Sequence, residues 1–313
     1  MLTLCDFEAI DRAWFGGPWK AVALSELPEG VQKVWCALAP DPSQVWAKGE
    51  VSEYQQSVGI LIRESADSQF DILAGLLDES SELPPWIVCA ALTGQRFHGN
   101  RGRAWMAERG NLHFTAYGHV GLSTQHVGLG MTALPAWASA ETIDQLVALP
   151  GASKIKWVND ILVNHQKVSG VITRTVTRAD LIERAVFGIG LNVKSAPSIQ
   201  SIYVPASGCI ADFNQKEASS LPQAFELLNE RLQSGLARLK EEGSRWLIEA
   251  YRERSIVMGQ AVVIWDEEAD PDVHEPLYRG TVTGISDDLS LELDHDPAKR
   301  VGKGRLAFAS QLV

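Results

Sequence analysis

The spacing of apolar positions changes three times along the chain. Residues 1–57 hold only short apolar runs, such as 34–38, among scattered Pro and Gly, and this predicts short strands and turns. From residue 58 the pattern sharpens. Val58-Gly59-Ile60-Leu61-Ile62 predicts a strand, and residues 70–77 predict a helix after it. Trp86-Ile87-Val88-Cys89-Ala90-Ala91-Leu92 is a continuous apolar run between Pro85 and Gly94, which predicts a buried strand. Residues 112–117, 155–157, 160–163, 168–173 and 185–191 continue the strand series, with small-residue helices expected around 127–137 and 139–149. Between 163 and 168 the chain reads as a hairpin, with Asn164 through Gln166 in the turn.

From 221 to 252 the period becomes helical. Phe225, Leu228, Leu232, Leu236 and Leu239 recur at spacings of three and four, and Leu247 and Tyr251 resume the pattern after Gly243. Pro222 sits just inside the start, where its missing N–H is harmless. After Gly259 short strands return at 261–265, 278–285 and 289–293, and another begins within 302–306, which predicts a small β barrel. Strands mixed with a few helices make the fold class α+β. The expected organisation is a Trp-rich N-terminal extension, residues 1–57, packed on a catalytic domain of residues 58–256, followed by a barrel of residues 257–313. Trp14, Trp19, Trp35 and Trp46 mark the extension.

Composition narrows the function classes. The 313 residues are 45% apolar and 21% charged, a globular balance without the signature of bulk disorder. The absence of any run of 18 apolar residues predicts no membrane span. The start carries acids where a signal peptide would carry a basic head, so the expected location is cytoplasmic. Cys5, Cys36, Cys89 and Cys209 are scattered without metal-ligand spacing, which predicts buried free thiols and no zinc or other protein-bound metal site. The net charge of −11 argues against a nucleic-acid partner. Residues 1–57 also have the wrong sign for phosphate contacts, with eight Asp/Glu against four Lys/Arg.

Three segments carry candidate chemistry. In Thr93-Gly94-Gln95-Arg96-Phe97-His98-Gly99-Asn100-Arg101-Gly102-Arg103-Ala104-Trp105, glycines recur among arginines after a predicted strand. Glycine permits the positive φ that gathers N–H groups into an anion-binding concavity, and arginine adds bidentate donors for carboxylate or phosphate. A solvated basic turn is the alternative. In Lys156-Trp157-Val158-Asn159-Asp160 and Lys167-Val168-Ser169-Gly170-Val171-Ile172, polar groups interrupt buried strands, where they are costly unless paired. The hairpin folds Lys167 back towards Asp160, where an ammonium can offset charge developing at a reacting acyl-phosphate. An ordinary surface Lys-Asp pair is the alternative. In Gly188-Ile189-Gly190-Leu191-Asn192 the glycines let a ligand approach the backbone, or else mark a β-bulge.

In this order the segments resemble the biotin protein ligases of the biotin/lipoate ligase superfamily. Residues 101–105 resemble the end of that family's GRGRRGRxW loop, 156–160 its KWPND motif, 167–172 its KxxGIL segment and 188–192 its GxGxN; 111–115 resemble its NLxxS strand. The resemblance covers residues 60–313. It implies a mixed sheet with helices on one side and a C-terminal SH3-like barrel. It also implies that ATP with Mg²⁺ converts biotin to biotinyl-5′-AMP, and that the acyl group then passes to a lysine of an acceptor such as a carboxylase carrier domain. Nucleic acid and membrane are not implied as partners, and a homodimer is compatible with the resemblance.

Carried over by position, Lys167, Arg103 and Asp160 would be catalytic. Gln95, Gly99, Asn100, Arg101, Gly102, Trp105, Lys156, Asn159, Gly170 and Asn192 would bind the acid and the nucleotide. The departures fall in the ligand loop: Phe97-His98-Gly99-Asn100 stands where the family has Gly-Arg-Gly-Arg, and Val158 replaces a proline. The upstream STN signature is absent as such, and residues 67–70 or 64–67 stand in its place. A ligase for lipoate, octanoate or another small acid and a non-catalytic biotin or adenylate-binding regulator are the competing readings.

Overall fold

The computed structural model describes residues 1–7, 12, 15–49, 51, 57–77, 83–127, 130–199, 201–204, 206–214 and 220–312. Trp14 and residues 128 and 129 of the expected 127–137 helix lie outside the described residues. The main sheet contains β1 (Leu2–Cys5), β2 (Lys20–Val22), β3 (Val45–Lys48), β4 (Ser57–Ser65), β5 (Trp86–Gly94) and β6 (Leu112–Ser123). It continues with β7 (Ser153–Lys156), β8 (Asp160–Val163), β9 (Gln166–Arg178), β10 (Leu181–Leu191) and β11 (Ala206–Ser207). Their order is β2-β3-β1-β4-β5-β6-β10-β9-β8-β7, with β11 paired to β9. β1, β4 and β5 run parallel, whereas β5 to β7 are linked by antiparallel pairs, so the sheet is mixed as expected.

The main helices are α1 (Glu29–Leu38), α2 (Gln69–Leu76), α3 (Gly130–Leu146), α4 (Leu221–Glu242) and α5 (Arg245–Arg254). Side chains alternate across a strand. Val88, Ala90 and Leu92 of β5 therefore join the core shared with α3, α4 and α5, while Ile87 and Cys89 join a second core with α1 and α2. The continuous apolar run read from the sequence is thus a strand covered on both faces. The helical layer of α3 to α5 is the expected one; α2, the helix expected at 70–77, and α1 add a thinner layer on the opposite face.

Residues 1–57 contribute β1, β2 and β3 to the sheet, with Leu2 to Cys5 in parallel register with Val58 to Leu61. The expectation of strands and turns fails at 34–38, which belong to α1. Val31, Val34, Trp35 and Leu38 are its buried face, and their spacing becomes helical only when Val31 is included. The two helices expected over 127–149 are one helix, α3, which runs through Pro135. Proline removes a helical hydrogen bond, yet Met131, Ala133, Leu134, Ala136, Ala138 and Ala140 are buried around it, and packing overrides local preference.

The C-terminal strands β12 (Ala261–Trp265), β13 (Tyr278–Ile285), β14 (Leu291–Leu293), β15 (Asp296–Val301) and β16 (Arg305–Phe308) form an antiparallel sheet in the order β15-β14-β13-β12-β16. This is consistent with the expected SH3-like unit. β15 has no apolar signal because it is an exposed edge carrying Asp296, Lys299 and Arg300. Trp157 Nε1 donates to the Leu289 carbonyl at 2.7 Å and Lys156 Nζ to the Leu306 carbonyl at 2.7 Å, so the barrel is fastened where β7 ends.

The other end of β7 is held by a largely buried ion network. Arg254, in the last turn of α5, reaches Glu141 at 2.6 Å and Asp144 at 2.9 Å, and Asp144 accepts from the Ser153 and Gly151 amides. Removing one partner of such a network leaves an uncompensated charge inside the protein. Arg254→Leu is expected to lower the unfolding free energy by about 3–5 kcal/mol, measured by urea denaturation; a loss below about 1 kcal/mol would show that Asp144 and Glu141 are satisfied without it.

Candidate functional site

A cavity of about 480 Å³ opens between the sheet, the loop after β5 and the barrel. One wall carries charge. Lys156 and Asp160 are register partners on β7 and β8, and Asp160 is in turn opposite Gly170 on β9. The intervening hairpin turns on Asn164 and His165, both at positive φ, as a two-residue turn of this kind requires. That turn brings Lys167 Nζ to 2.6 Å from Asp160 Oδ1, with the two side chains only 15% and 17% exposed. Burial opposes ionisation of Asp160, but the Lys167 and Lys156 ammonium groups more than offset it and hold the carboxyl below its ordinary range.

Lys156 is 3% exposed. Burial lowers its pKa from 10.5 to about 8; Asp160 opposes the fall, and Lys167, Arg103 and Arg305 add to it. Arg103 lines the same cavity, its Nε donating to the Asn100 carbonyl at 2.9 Å. Arg305 enters from β16 and stacks over the Tyr203 ring at 3.6 Å. The cations that act on Lys156 and Asp160 thus come from the loop, the hairpin and the barrel.

The floor is bare backbone. Gly170 and Gly190 are cross-strand partners on β9 and β10, and His113 on β6 is the next residue in that row. The Trp105 indole lies on this patch. A methyl group at Gly190 would stand 2.2 Å from the ring, and one at Gly170 would stand 3.4 Å away, so only glycine admits the indole at position 190.

The loop itself is a small hairpin: Gly99 N donates to Arg103 O at 2.7 Å and Trp105 N to Phe97 O at 2.9 Å. Arg101 and Gly102 take positive φ at its tip. Three of its basic side chains already have acidic partners. Arg96 meets Asp67, His98 Nε2 lies 2.6 Å from Asp71 Oδ2, and Arg101 pairs with Glu267 of the barrel. The Gly99 carbonyl raises the His98 pKa above its ordinary value, burial partly opposes this, and Asp71 adds to the rise.

Of the residues singled out from the sequence, Lys167, Arg103, Asp160, Gly99, Asn100, Arg101, Trp105, Lys156, Asn159, Gly170 and Asn192 line this one cavity. Asn159 Nδ2 donates to the Val171 carbonyl at 2.7 Å, and Asn192 Nδ2 to the Gly208 carbonyl at 3.0 Å. Asn192 Oδ1 is buried without a hydrogen-bond partner. Two expected residues fall outside the wall. Gln95, the first residue past the end of β5, turns to Glu64 at the surface, 3.4 Å away; Gly102 serves the turn at φ 69°. Of the two stretches standing in for the absent STN signature, 67–70 brings Ser68 and Phe70 into the wall, and no residue of 64–67 lines it.

Sequence reasoning missed Tyr203, Ser207, Glu267 and Arg305, which also line the cavity. They arrive from the irregular segment holding Tyr203, from the two-residue strand β11 and from the C-terminal sheet unit, none of which carries a motif. Among the described residues no group of three His, Cys, Asp or Glu is placed to hold a metal, and no helix is long and apolar enough to cross a membrane.

Residues 93–192, which contain most of this wall, match the model of the biotin/lipoate A/B protein ligase family. The chain is 26% identical over 206 residues to the biotin--[acetyl-CoA-carboxylase] ligase of Paracoccus denitrificans, covering 64% of this chain and 81% of that protein. A shorter stretch of 68 residues is 34% identical to the bifunctional ligase/repressor BirA of Bacillus subtilis, covering 22% of this chain and 20% of that protein. The biotin protein ligase of Aquifex aeolicus in complex with biotin and ATP shares the fold, with a TM-score of 0.60 at 18% identity over 80% of this chain and 97% of that one. Fold and relatives together define an enzyme of the ligase class. The similarity to the biotin/lipoate A/B protein ligase family is carried by residues 93–192 and by the shared fold.

The burial of Lys156 has a measurable signature. Folding lowers the pKa of Lys156, so the unfolded chain holds its proton up to 10.5 while the folded protein releases it near 8. The penalty is full below about 8 and is relieved as pH rises towards 10.5. Lys156 should therefore contribute a rise in stability on the order of 3 kcal/mol at most across that window. Chemical denaturation of wild type and Lys156→Gln at a series of pH values checks this; parallel pH dependences would refute it.

Proposed function

We propose that this protein activates biotin with ATP to biotinyl-5′-AMP and transfers the biotinyl group to a lysine of an acceptor protein. One observation carries the reading: Lys167, Asp160, Lys156, Arg103 and Arg305 converge on one cavity whose floor is the Gly170–Gly190 pair. Cations in excess over Asp160 call for an anionic ligand, and the Trp105 indole lying on the glycine floor offers a flat surface beside it. The similarity to the family and the biotin and ATP bound by the Aquifex aeolicus protein support the choice of co-substrates.

In the first step a carboxylate oxygen of the acid attacks the α-phosphorus of ATP; the bond to the β-phosphate breaks, and pyrophosphate leaves. Arg103 and Lys167 hold the two anions against each other, and their fixed charge offsets the negative charge that grows on the phosphoryl oxygens. Asp160 fixes the Lys167 ammonium through their 2.6 Å contact, so little reorganisation is needed when the ligand binds. In the second step the acceptor amine attacks the acyl carbon, the bond to the AMP oxygen breaks, and the amine gives up a proton. Lys167 remains beside the departing phosphate.

The residues present fit Mg²⁺ carried on the phosphates rather than in a protein cage. Mg²⁺ keeps several waters and needs few protein oxygens. Asp160 and the unpartnered Asn192 Oδ1 are the oxygens that would hold it, and the ion supplies charge neutralisation on the phosphates. A carboxylase carrier domain is the acceptor class that the Paracoccus denitrificans relative points to.

A second acid remains a competing substrate for one reason: Phe97 and His98 line the cavity where the family pattern has glycine and arginine. The test is mass spectrometry of a biotinyl acceptor domain incubated with the protein, Mg²⁺, ATP and biotin, lipoate or octanoate in turn. A mass gain of one biotinyl group with biotin alone is expected, whereas modification by another acid only would replace biotin as the substrate. Lys167→Met should reduce ATP–pyrophosphate exchange by about 10²–10³-fold; a change smaller than about tenfold would remove Lys167 from the chemistry.

A further inference from the structure

His113 interrupts an apolar strand. It is 2% exposed, sits on β6 beside Gly190, and lies in the cavity wall without any charged partner of its own. Its Nδ1 accepts a hydrogen bond from Trp105 Nε1 at 3.1 Å. An indole N–H is a donor only, so the His113 proton resides on Nε2, which donates to the Glu108 carbonyl at 3.2 Å. The two bonds therefore select the same tautomer. Phe97, at the start of the ligand loop, meets the imidazole edge-on with ring centroids 5.6 Å apart at 63°. These contacts all run to residues 97–108, the loop and the segment that follows it.

We propose that His113 is the positioning residue of the ligand loop: its Nδ1 fixes the Trp105 indole over the Gly170–Gly190 floor while its ring edge fixes Phe97, so that Arg103 between them is held towards the hairpin. A histidine that merely satisfied itself in the core would make no distinction between these partners. Here the geometry is tied to the bare patch, because only a flat ring fits against Gly190, and only an acceptor at Nδ1 sets that ring's rotation. Burial also keeps the imidazole uncharged, pushing its pKa down to about 4 against the opposing Glu108 carbonyl, so the acceptor persists at neutral pH. The proposal names a positioning group for the site described above and rests on that reading of its ligands.

The experiment is a double-mutant cycle read by calorimetric binding of biotin and of ATP, with thermal unfolding recorded alongside. His113→Phe keeps the ring and removes the acceptor; His113→Asn keeps an acceptor near the Nδ1 position. Loss of one neutral hydrogen bond should weaken binding by about fivefold in His113→Phe, and His113→Asn should bind within about twofold of wild type. In a Trp105→Phe background, which has no indole N–H, His113→Phe should have no further effect. Equal losses in both His113 variants, or single effects that multiply in the double variant, would overturn the proposal.

If His113→Phe does not fold, nitrogen NMR of ¹⁵N-histidine protein decides instead: Trp105→Phe should shift the His113 Nδ1 signal, and an unchanged signal refutes the contact. The same NMR comparison stands even when wild type binds neither biotin nor ATP. That outcome defeats the proposed function and leaves the loop anchor to be judged separately.

Discussion

The ion pair between Lys167 and Asp160 is the contact on which the cavity depends. Two side chains of opposite charge lie 2.6 Å apart with little access to water, and Lys156, Arg103 and Arg305 act on the same pocket. Asp160 and Glu267 share the cavity wall with Lys156, Lys167, Arg101, Arg103 and Arg305, so cations outnumber carboxylates there. Burial, with the neighbouring cations adding to it against Asp160, holds the Lys156 pKa at about 8. Under the proposed function, an anionic ligand entering the pocket would meet this surplus beside the hairpin. Asp160 limits the surplus and fixes where it is concentrated.

That arrangement requires two bodies. β7 and β8 supply Lys156 and Asp160, but the Lys156 ammonium donates to a carbonyl of β16, and Arg305 reaches in from the same strand. Trp157 makes the equivalent connection to Leu289 on the far side of the barrel. The barrel thereby closes the charged end of the cavity and satisfies a buried ammonium that the catalytic sheet leaves one partner short. At the opposite end of β7, the Arg254 network joins α5 and α3 to Ser153. The strand carrying Lys156 is consequently fixed at both ends.

Most of this was legible where function forces an unusual local pattern. Lys156-Trp157-Val158-Asn159-Asp160 places polar groups within buried strands, and Gly188-Ile189-Gly190-Leu191-Asn192 removes side chains from one. Both conflict with ordinary strand packing, so both pointed to the site. Arg305 and Tyr203 gave no such signal. An arginine at a barrel strand start and a tyrosine in an irregular connection are ordinary locally, and only the tertiary fold stacks one on the other at 3.6 Å. α1 was hidden for a different reason, since a five-residue apolar window does not distinguish periods of 2 and 3.6. β15 was hidden because an edge strand has no buried face to write into the sequence.

The ligand loop shows how a departure from a family pattern can be compensated. Phe97, His98 and Asn100 replace residues that would supply flexibility and charge; Arg96 and Arg101 are drawn to Asp67 and Glu267, and the His98 ring meets Asp71. These pairs are substantially exposed, and an exposed ion pair contributes about 0–1 kcal/mol. They cannot by themselves set the position of Arg103. The buried contacts can: Trp105 on glycine backbone, its indole N–H on His113, and Phe97 against the same imidazole. Aromatic contacts and a buried hydrogen bond are less sensitive to salt than surface charge is. The loop still brings Arg101 and Arg103 to the cavity wall, and the anchor proposed above would fix the segment on either side of Arg103.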